Sequence, residues 1–329
     1  TMAARAAYWA GESAYQLKDF AKAELYFKQF FANTAAPKTD EYAKGYYSLA
    51  YANFNQRDYT EAIDNFEKYL KQNPKEESWK HDAMLRLADS YFVIGKYWPA
   101  MEGYNKLIEN KSANQDYAAY QKAISYGFVD RLSNKESDLE LFIKNYPSSN
   151  LRPNALYELG NSYVSQGNPE KGVQYYQQLI ANHKGNALVP RAMLREGLVY
   201  YNKGEDAKAL TLFKTIAKEY PQTSEASQAV SSAKLIYVDM GKVNEYAAWA
   251  KSLGYVEVTN LELEAAAFEA AERQYLQGNT KEALTALDNY IKQYPNGMRR
   301  THAEFYKAQL FFNEGKKADA LTYYEKVWK

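Results

Sequence analysis

Internal repetition is what governs this chain. Aligned on the segment from Tyr46 to Pro74, small, aromatic and turn residues recur from starts near 4, 43, 81, 116, 153, 190, 227, 264 and 301. The steps are 39, 38 and 35 residues, and then 37 five times running. Equal steps of this size mark a repeat architecture, in which each unit buries its apolar face only against its neighbours. The core then grows along one axis, so 329 residues need not divide into the roughly two globular domains that length alone suggests.

Within each unit the spacing is helical. The eighth position reads Gly11, Ala50, Ala88, Ala123, Gly160, Gly197, Lys234, Ala271 and Ala308. The twentieth reads Ala23, Ala62, Ala100, Lys135, Gly172, Ala209, Tyr246, Ala283 and Ala320. Small side chains at two such places let paired helices cross at about 8–10 Å. Four residues past the second small site stands a bulky filler, Phe27, Phe66, Tyr104, Leu139, Tyr176, Phe213, Leu287 or Tyr324, on the same helical face. In six units a glycine (Gly95, Gly167, Gly204, Gly241, Gly278, Gly315) lies between the two stretches, where a left-handed residue closes the first helix. Each unit therefore reads as a helical hairpin. Lys135 in the fourth unit, and Lys234 with Tyr246 in the seventh, put long side chains where a close crossing needs small ones. Those hairpins are expected to be splayed or reoriented, with the seventh the weakest stacking point and a bend.

Proline follows the second helix only in the even units, at Pro74, Pro147, Pro221 and Pro295, spaced 73, 74 and 74 residues. Three of the four follow a tyrosine (Tyr146, Tyr220, Tyr294). Proline lacks an N–H and restrains the residue before it, so it stops a helix. The array thus has a doubled sequence period of 74 residues. The 37-residue unit is longer than the 34 typical of such hairpins by nearly one helical turn, which points to lengthened helices.

This pattern resembles the tetratricopeptide repeat family over nearly the whole chain. The resemblance implies an all-α fold, a right-handed α-solenoid of about nine tandem helix-turn-helix repeats forming one superhelix over residues 1–329. The chain starts and stops inside helix patterns, so it reads as a piece of a longer repeat protein. The 37-residue step with Tyr-Pro endings resembles the bacterial envelope branch, which includes the periplasmic TolA-binding coordinator and the barrel-assembly lipoprotein. That resemblance implies a periplasmic or outer-membrane-associated scaffold; cytosolic bacterial arrays can share the spacing.

Composition offers little to a catalyst. The chain has no Cys, and His81, His183 and His302 stand in different units with no neighbour at metal-ligand spacing, so neither metal nor cofactor is expected. A phosphate-cradling glycine loop and a nucleophile elbow are both missing. The net charge is +1, and Arg299-Arg300 and Lys316-Lys317 are short basic runs separated by acids, so nucleic acid is not an expected partner. No apolar run approaches the roughly 20 residues that cross a bilayer.

The outlying feature is 32 tyrosines. In the family, first helices line a concave face, and their second, fifth, sixth, ninth, twelfth and thirteenth positions face the ligand. Positions five and twelve lie two turns apart on one stripe. Here twelve of those eighteen places are aromatic, among them Tyr8, Tyr15, Tyr47, Phe54, Tyr120, Tyr157, Tyr201 and Tyr275. A stripe of this kind either packs between repeats or forms a trough for a peptide or partner helix. Family members that clamp C-terminal carboxylates use basic and Asn residues on consecutive units. Asn161, Arg191 and Arg195 occupy three such places, but Tyr157 stands where Lys is needed, with Glu158 beside it. A carboxylate clamp is therefore not expected, and Arg191 with Arg195 is a local anion-binding candidate whose alternative is a surface pairing with Glu.

The leading expectation is a non-catalytic scaffold binding a protein or peptide along the concave aromatic face. A carbohydrate- or peptidoglycan-binding module using Trp9, Trp98 and Trp249, or an architectural spacer in a larger envelope protein, are the alternatives.

Overall fold

The computed structural model describes residues 1–328, so Lys329, the end of the expected array, lies outside the described residues. Among the described residues there are eighteen α-helices, one short 3-10 turn (Ala36–Lys38) and no strand. They form two compact units. The first, Thr1–Gln166, stacks four hairpins and a ninth helix: α1 (Met2–Gln16) with α2 (Phe20–Ala32), α3 (Tyr42–Asn55) with α4 (Tyr59–Lys71), α5 (Glu77–Val93) with α6 (Tyr97–Glu109), α7 (Gln115–Gly127) with α8 (Leu132–Asn145), then α9 (Arg152–Ser165). The second, from Gly167, opens with α10 (Pro169–Asn182). It continues with α11 (Val189–Asn202) and α12 (Asp206–Glu219), α13 (Ser224–Asp239) and α14 (Val243–Ser252), α15 (Asn260–Leu276) and α16 (Thr280–Gln293), α17 (Arg300–Asn313) and α18 (Lys317–Trp328).

The helix pairing follows from the small-residue sites. A Cβ built on Gly11 would lie 2.6 Å from the Phe27 ring, and one on Gly197 2.6 Å from the Phe213 ring. The Phe27 and Phe213 rings thus sit directly on the small residues of their partner helices. Phe27, Phe66, Tyr104, Leu139, Tyr176, Phe213 and Leu287 are all buried, whereas Tyr324 is half-buried. Full burial of one such side chain contributes about 1.5–3 kcal/mol.

The turns inside the hairpins share one backbone device. All six turn glycines have positive φ, between 68° and 80°. In the other three hairpins Lys18 (60°), Arg57 (64°) and Asp130 (55°) hold the same left-handed conformation. The links between hairpins also repeat. Tyr146, His183, Tyr220 and Tyr294 each donate a backbone N–H to the carbonyl four residues earlier. Ser149, Asn186, Thr223 and Gly297 then donate back to those four residues, and Arg152, Val189, Ala226 and Arg300 donate to them in turn. His183 therefore closes its helix as the tyrosines do without a following proline. The doubled period is a feature of sequence that the link geometry does not carry.

Three first helices begin three or four residues before the expected starts: α5 at Glu77, α13 at Ser224 and α15 at Asn260. Side-chain caps hold two of these extensions, Thr223 accepting from the Ala226 N–H and Thr259 forming a reciprocal capping box with Glu262. Where the first helix is not extended, as at α9 and α11, the added residues form the six-residue link instead.

Candidate partner-binding face

In the first unit, α1, α3 and α5 bring the fifth- and twelfth-position rings onto one face. Tyr8 is the exception. It is only 4% exposed and packs on Phe27 and Phe30 at 5.9 and 5.7 Å between ring centroids, so its ring belongs to the core. Tyr15 and Tyr47 are half-buried, as is Phe54. The Tyr15 hydroxyl accepts from Asn55 Nδ2 at 2.9 Å. Tyr47 donates to Asp82 at 2.7 Å, and Tyr51 donates to the same carboxylate oxygen. Phe54 lies edge-on to Tyr59 at 5.4 Å with the Arg86 guanidinium over its ring at 5.9 Å.

One ring on this face carried no signal at the fifth or twelfth position. Trp79 stands in the first turn of α5, on the added residues, and lies 4.8 Å from Tyr47 between centroids. The 38-residue step that ends near residue 81 was the only trace of that extension. Together Glu12, Tyr15, Tyr47, Ser48, Tyr51 and Trp79 border a cleft of about 270 Å³. Burial, and then the Asp82 carboxylate, pushes the Tyr51 phenol up to about 12 and Tyr47 well above its ordinary range. Both phenols are therefore neutral donors at any physiological pH.

Tyr120 is half-buried and lies edge-on to Phe142 of α8 at 5.9 Å; burial raises its phenol. Tyr157 and Asn161 are half-buried on α9. The Tyr120 ring thus packs within its own hairpin.

In the second unit the expected residues fall into separate groups. Tyr201 of α11 donates to Asp239 at 3.4 Å, and Asp239 is ion-paired with Arg273, which also holds Glu269 at 3.0 Å. Tyr275 stacks on Tyr306 at 4.2 Å and 17°, and the Tyr306 hydroxyl donates to Glu272 at 2.7 Å. The Arg191 guanidinium is paired with Glu225 at 3.0 Å. Arg195 is exposed one turn further along α11. A larger recess of about 820 Å³ opens between α14 and α16, floored by Ala267 and Ala270 of α15; none of the expected site residues lines it. Among the described residues no helix is long and apolar enough to cross a membrane, and no group of three His, Asp or Glu could hold a metal ion.

Tetratricopeptide repeat models match residues 43–76, 82–110, 157–223 and 265–297. No curated protein matches the chain. Among solved structures, a tetratricopeptide repeat protein from Parabacteroides merdae is 14% identical, covering 79% of this chain and 96% of its own, with a TM-score of 0.49. The C-terminal part of a repeat-containing protein from Cytophaga hutchinsonii is 19% identical over 74% of this chain and 93% of its own, with a TM-score of 0.43. PilF of Pseudomonas aeruginosa is 13% identical over 69% and 96%, with a TM-score of 0.46. Likeness at this level bears on neither partner nor mechanism.

Proposed function

We propose that this tetratricopeptide-repeat chain is a non-catalytic scaffold that binds an extended peptide segment of a partner protein on the aromatic first-helix face of its first unit. Stacked hairpins of this kind present long surfaces built for protein contact. The observation that carries the reading is the convergence of Tyr15, Tyr47, Tyr51 and Trp79, from three successive hairpins, on one cleft. Aromatic anchors of low side-chain entropy dominate binding energy where they line a pocket. Incorporating a photo-cross-linking residue at Tyr15 or at Phe54 in the native host should capture one common partner. The same probe at Lys22 on α2 should not. Equal capture from all three positions, or none from the first two, overturns the assignment.

The bacterial-envelope placement rests on the 37-residue step and the Tyr-Pro endings alone. Fractionation of native cells with an antibody to the chain tests it, and recovery in the cytosol rejects it.

A further inference from the structure

We propose that the cleft between α1, α3 and α5 is a receptor for a lysine or arginine side chain of that peptide. The inference rests on the reading of this face as the binding surface and names the chemistry it selects.

Several acids on or beside the first helices have counter-ions. Glu41 is paired with Arg5 at 2.9 Å, Asp89 with Arg86 at 2.9 Å, Glu225 with Arg191, and Asp239 with Arg273. Glu12 and Asp82, like Glu264 and Glu272 of α15, are held by hydroxyls instead. Among the described residues neither Glu12 nor Asp82 has a cation within ion-pair distance. Their hydrogen bonds come from hydroxyls: Ser48 donates to Glu12, and Tyr47 and Tyr51 donate to Asp82. A hydroxyl donor orients a carboxylate without neutralising it, so Glu12 sets a negative charge in the cleft wall. Asp82 holds two of the lining tyrosines, and Arg86, which donates to the Tyr51 hydroxyl at 3.3 Å, partly offsets its charge. Hydroxyl bonds also hold the carboxylates in place before any ligand arrives.

The walls suit a cation as well as the charges do. Aromatic faces attract ammonium and guanidinium groups through the ring quadrupole, Trp most of all. The chain already uses this surface so, with Lys44 Nζ 5.0 Å above the Trp79 ring and Arg86 over Phe54 at 5.9 Å. Lys44 is exposed, free to yield its place to a better-held cation. A cleft of about 270 Å³ is sized for one long side chain, not for a helix. The aliphatic stem of Lys or Arg would lie along the rings while its head reaches the carboxylates.

The test is selection of short random peptides by display against the full 329-residue chain. Enriched peptides should carry Lys or Arg at one fixed register. Replacing that residue by citrulline, which keeps the shape and loses the charge, should weaken binding about ten-fold or more. The Glu12→Gln/Asp82→Asn double variant should lose the same factor, with unchanged helicity by circular dichroism. Trp79→Leu, which leaves both carboxylates in place, should weaken the same peptides and guards against a folding artefact in the double variant. Enriched peptides with no fixed cationic position, or binding indifferent to citrulline and to the double variant, overturn this proposal while leaving the binding face intact. Failure to enrich any peptide overturns the binding face itself.

Discussion

The fourth and seventh hairpins answer the same sequence problem in different ways. Each carries a lysine where close crossing needs a small residue. In the fourth, α7 presents Gly127 opposite Lys135, and a Cβ there would lie 3.2 Å from the lysine Cδ. The lysine stem passes over the glycine and its ammonium leaves the hairpin for Glu158 on α9 at 2.7 Å. With that volume surrendered, α7 and α8 stay closely packed, and the expected splaying does not occur. The seventh hairpin has no such glycine. Tyr246 is buried beside Tyr237 and Trp249, and Lys234 Nζ sits 6.0 Å over the Tyr246 ring. Here α14 shrinks to ten residues and packs less extensively on α13, which leans also on α11 and α15. A long side chain at a crossing is absorbed when the facing residue gives up its volume. Otherwise the helix itself gives way.

The sharpest challenge to this contrast is Tyr246→Ala. If the ring has become core, its removal should cost about 3–5 kcal/mol, read from the urea midpoint followed by Trp249 fluorescence. A loss under about 0.5 kcal/mol would return Tyr246 to the surface and end the argument. Next is Gly127→Phe, which restores the ring common at this position and should destabilise the fourth hairpin by about 1–3 kcal/mol through overpacking. Adding Lys135→Ala should recover most of that; no recovery would show that the glycine is not there to make room. Amides of Val243–Ser252 should exchange with solvent roughly ten-fold faster than those of Leu132–Asn145, since sparse packing lowers the local opening energy. Equal protection would erase the difference between the two hairpins. The smallest effects lie in the turns. Asp130→Gly should stabilise the fourth and Gly241→Ala destabilise the seventh, each by about 0.5–1 kcal/mol, because both positions have positive φ. Matching signs by thermal denaturation would contradict the left-handed assignment.

Repeat starts, turn glycines, crossing sites and filler rings could all be read from the chain, because each depends on residues a few positions apart within one hairpin. A glycine at a left-handed turn, or an alanine under a phenylalanine, is dictated locally and recurs with the period. The site was less legible. Tyr8 and Tyr47 occupy the same place in their repeats, yet one is core and the other borders the cleft, because exposure depends on what the neighbouring hairpins lay over each ring. Arg191 read either as an anion-binding residue or as half of a surface pair, and the sequence could not show that α13 brings Glu225 to it from 34 residues away. Trp79 joined the face only because α5 gained a turn at its start. The sequence by itself determined a stack of helical hairpins, since the packing that makes a hairpin is short-range and periodic. Which rings, acids and bases meet on its face was decided by the tertiary structure, because those encounters depend on the offset between one hairpin and the next, and no single repeat encodes that offset.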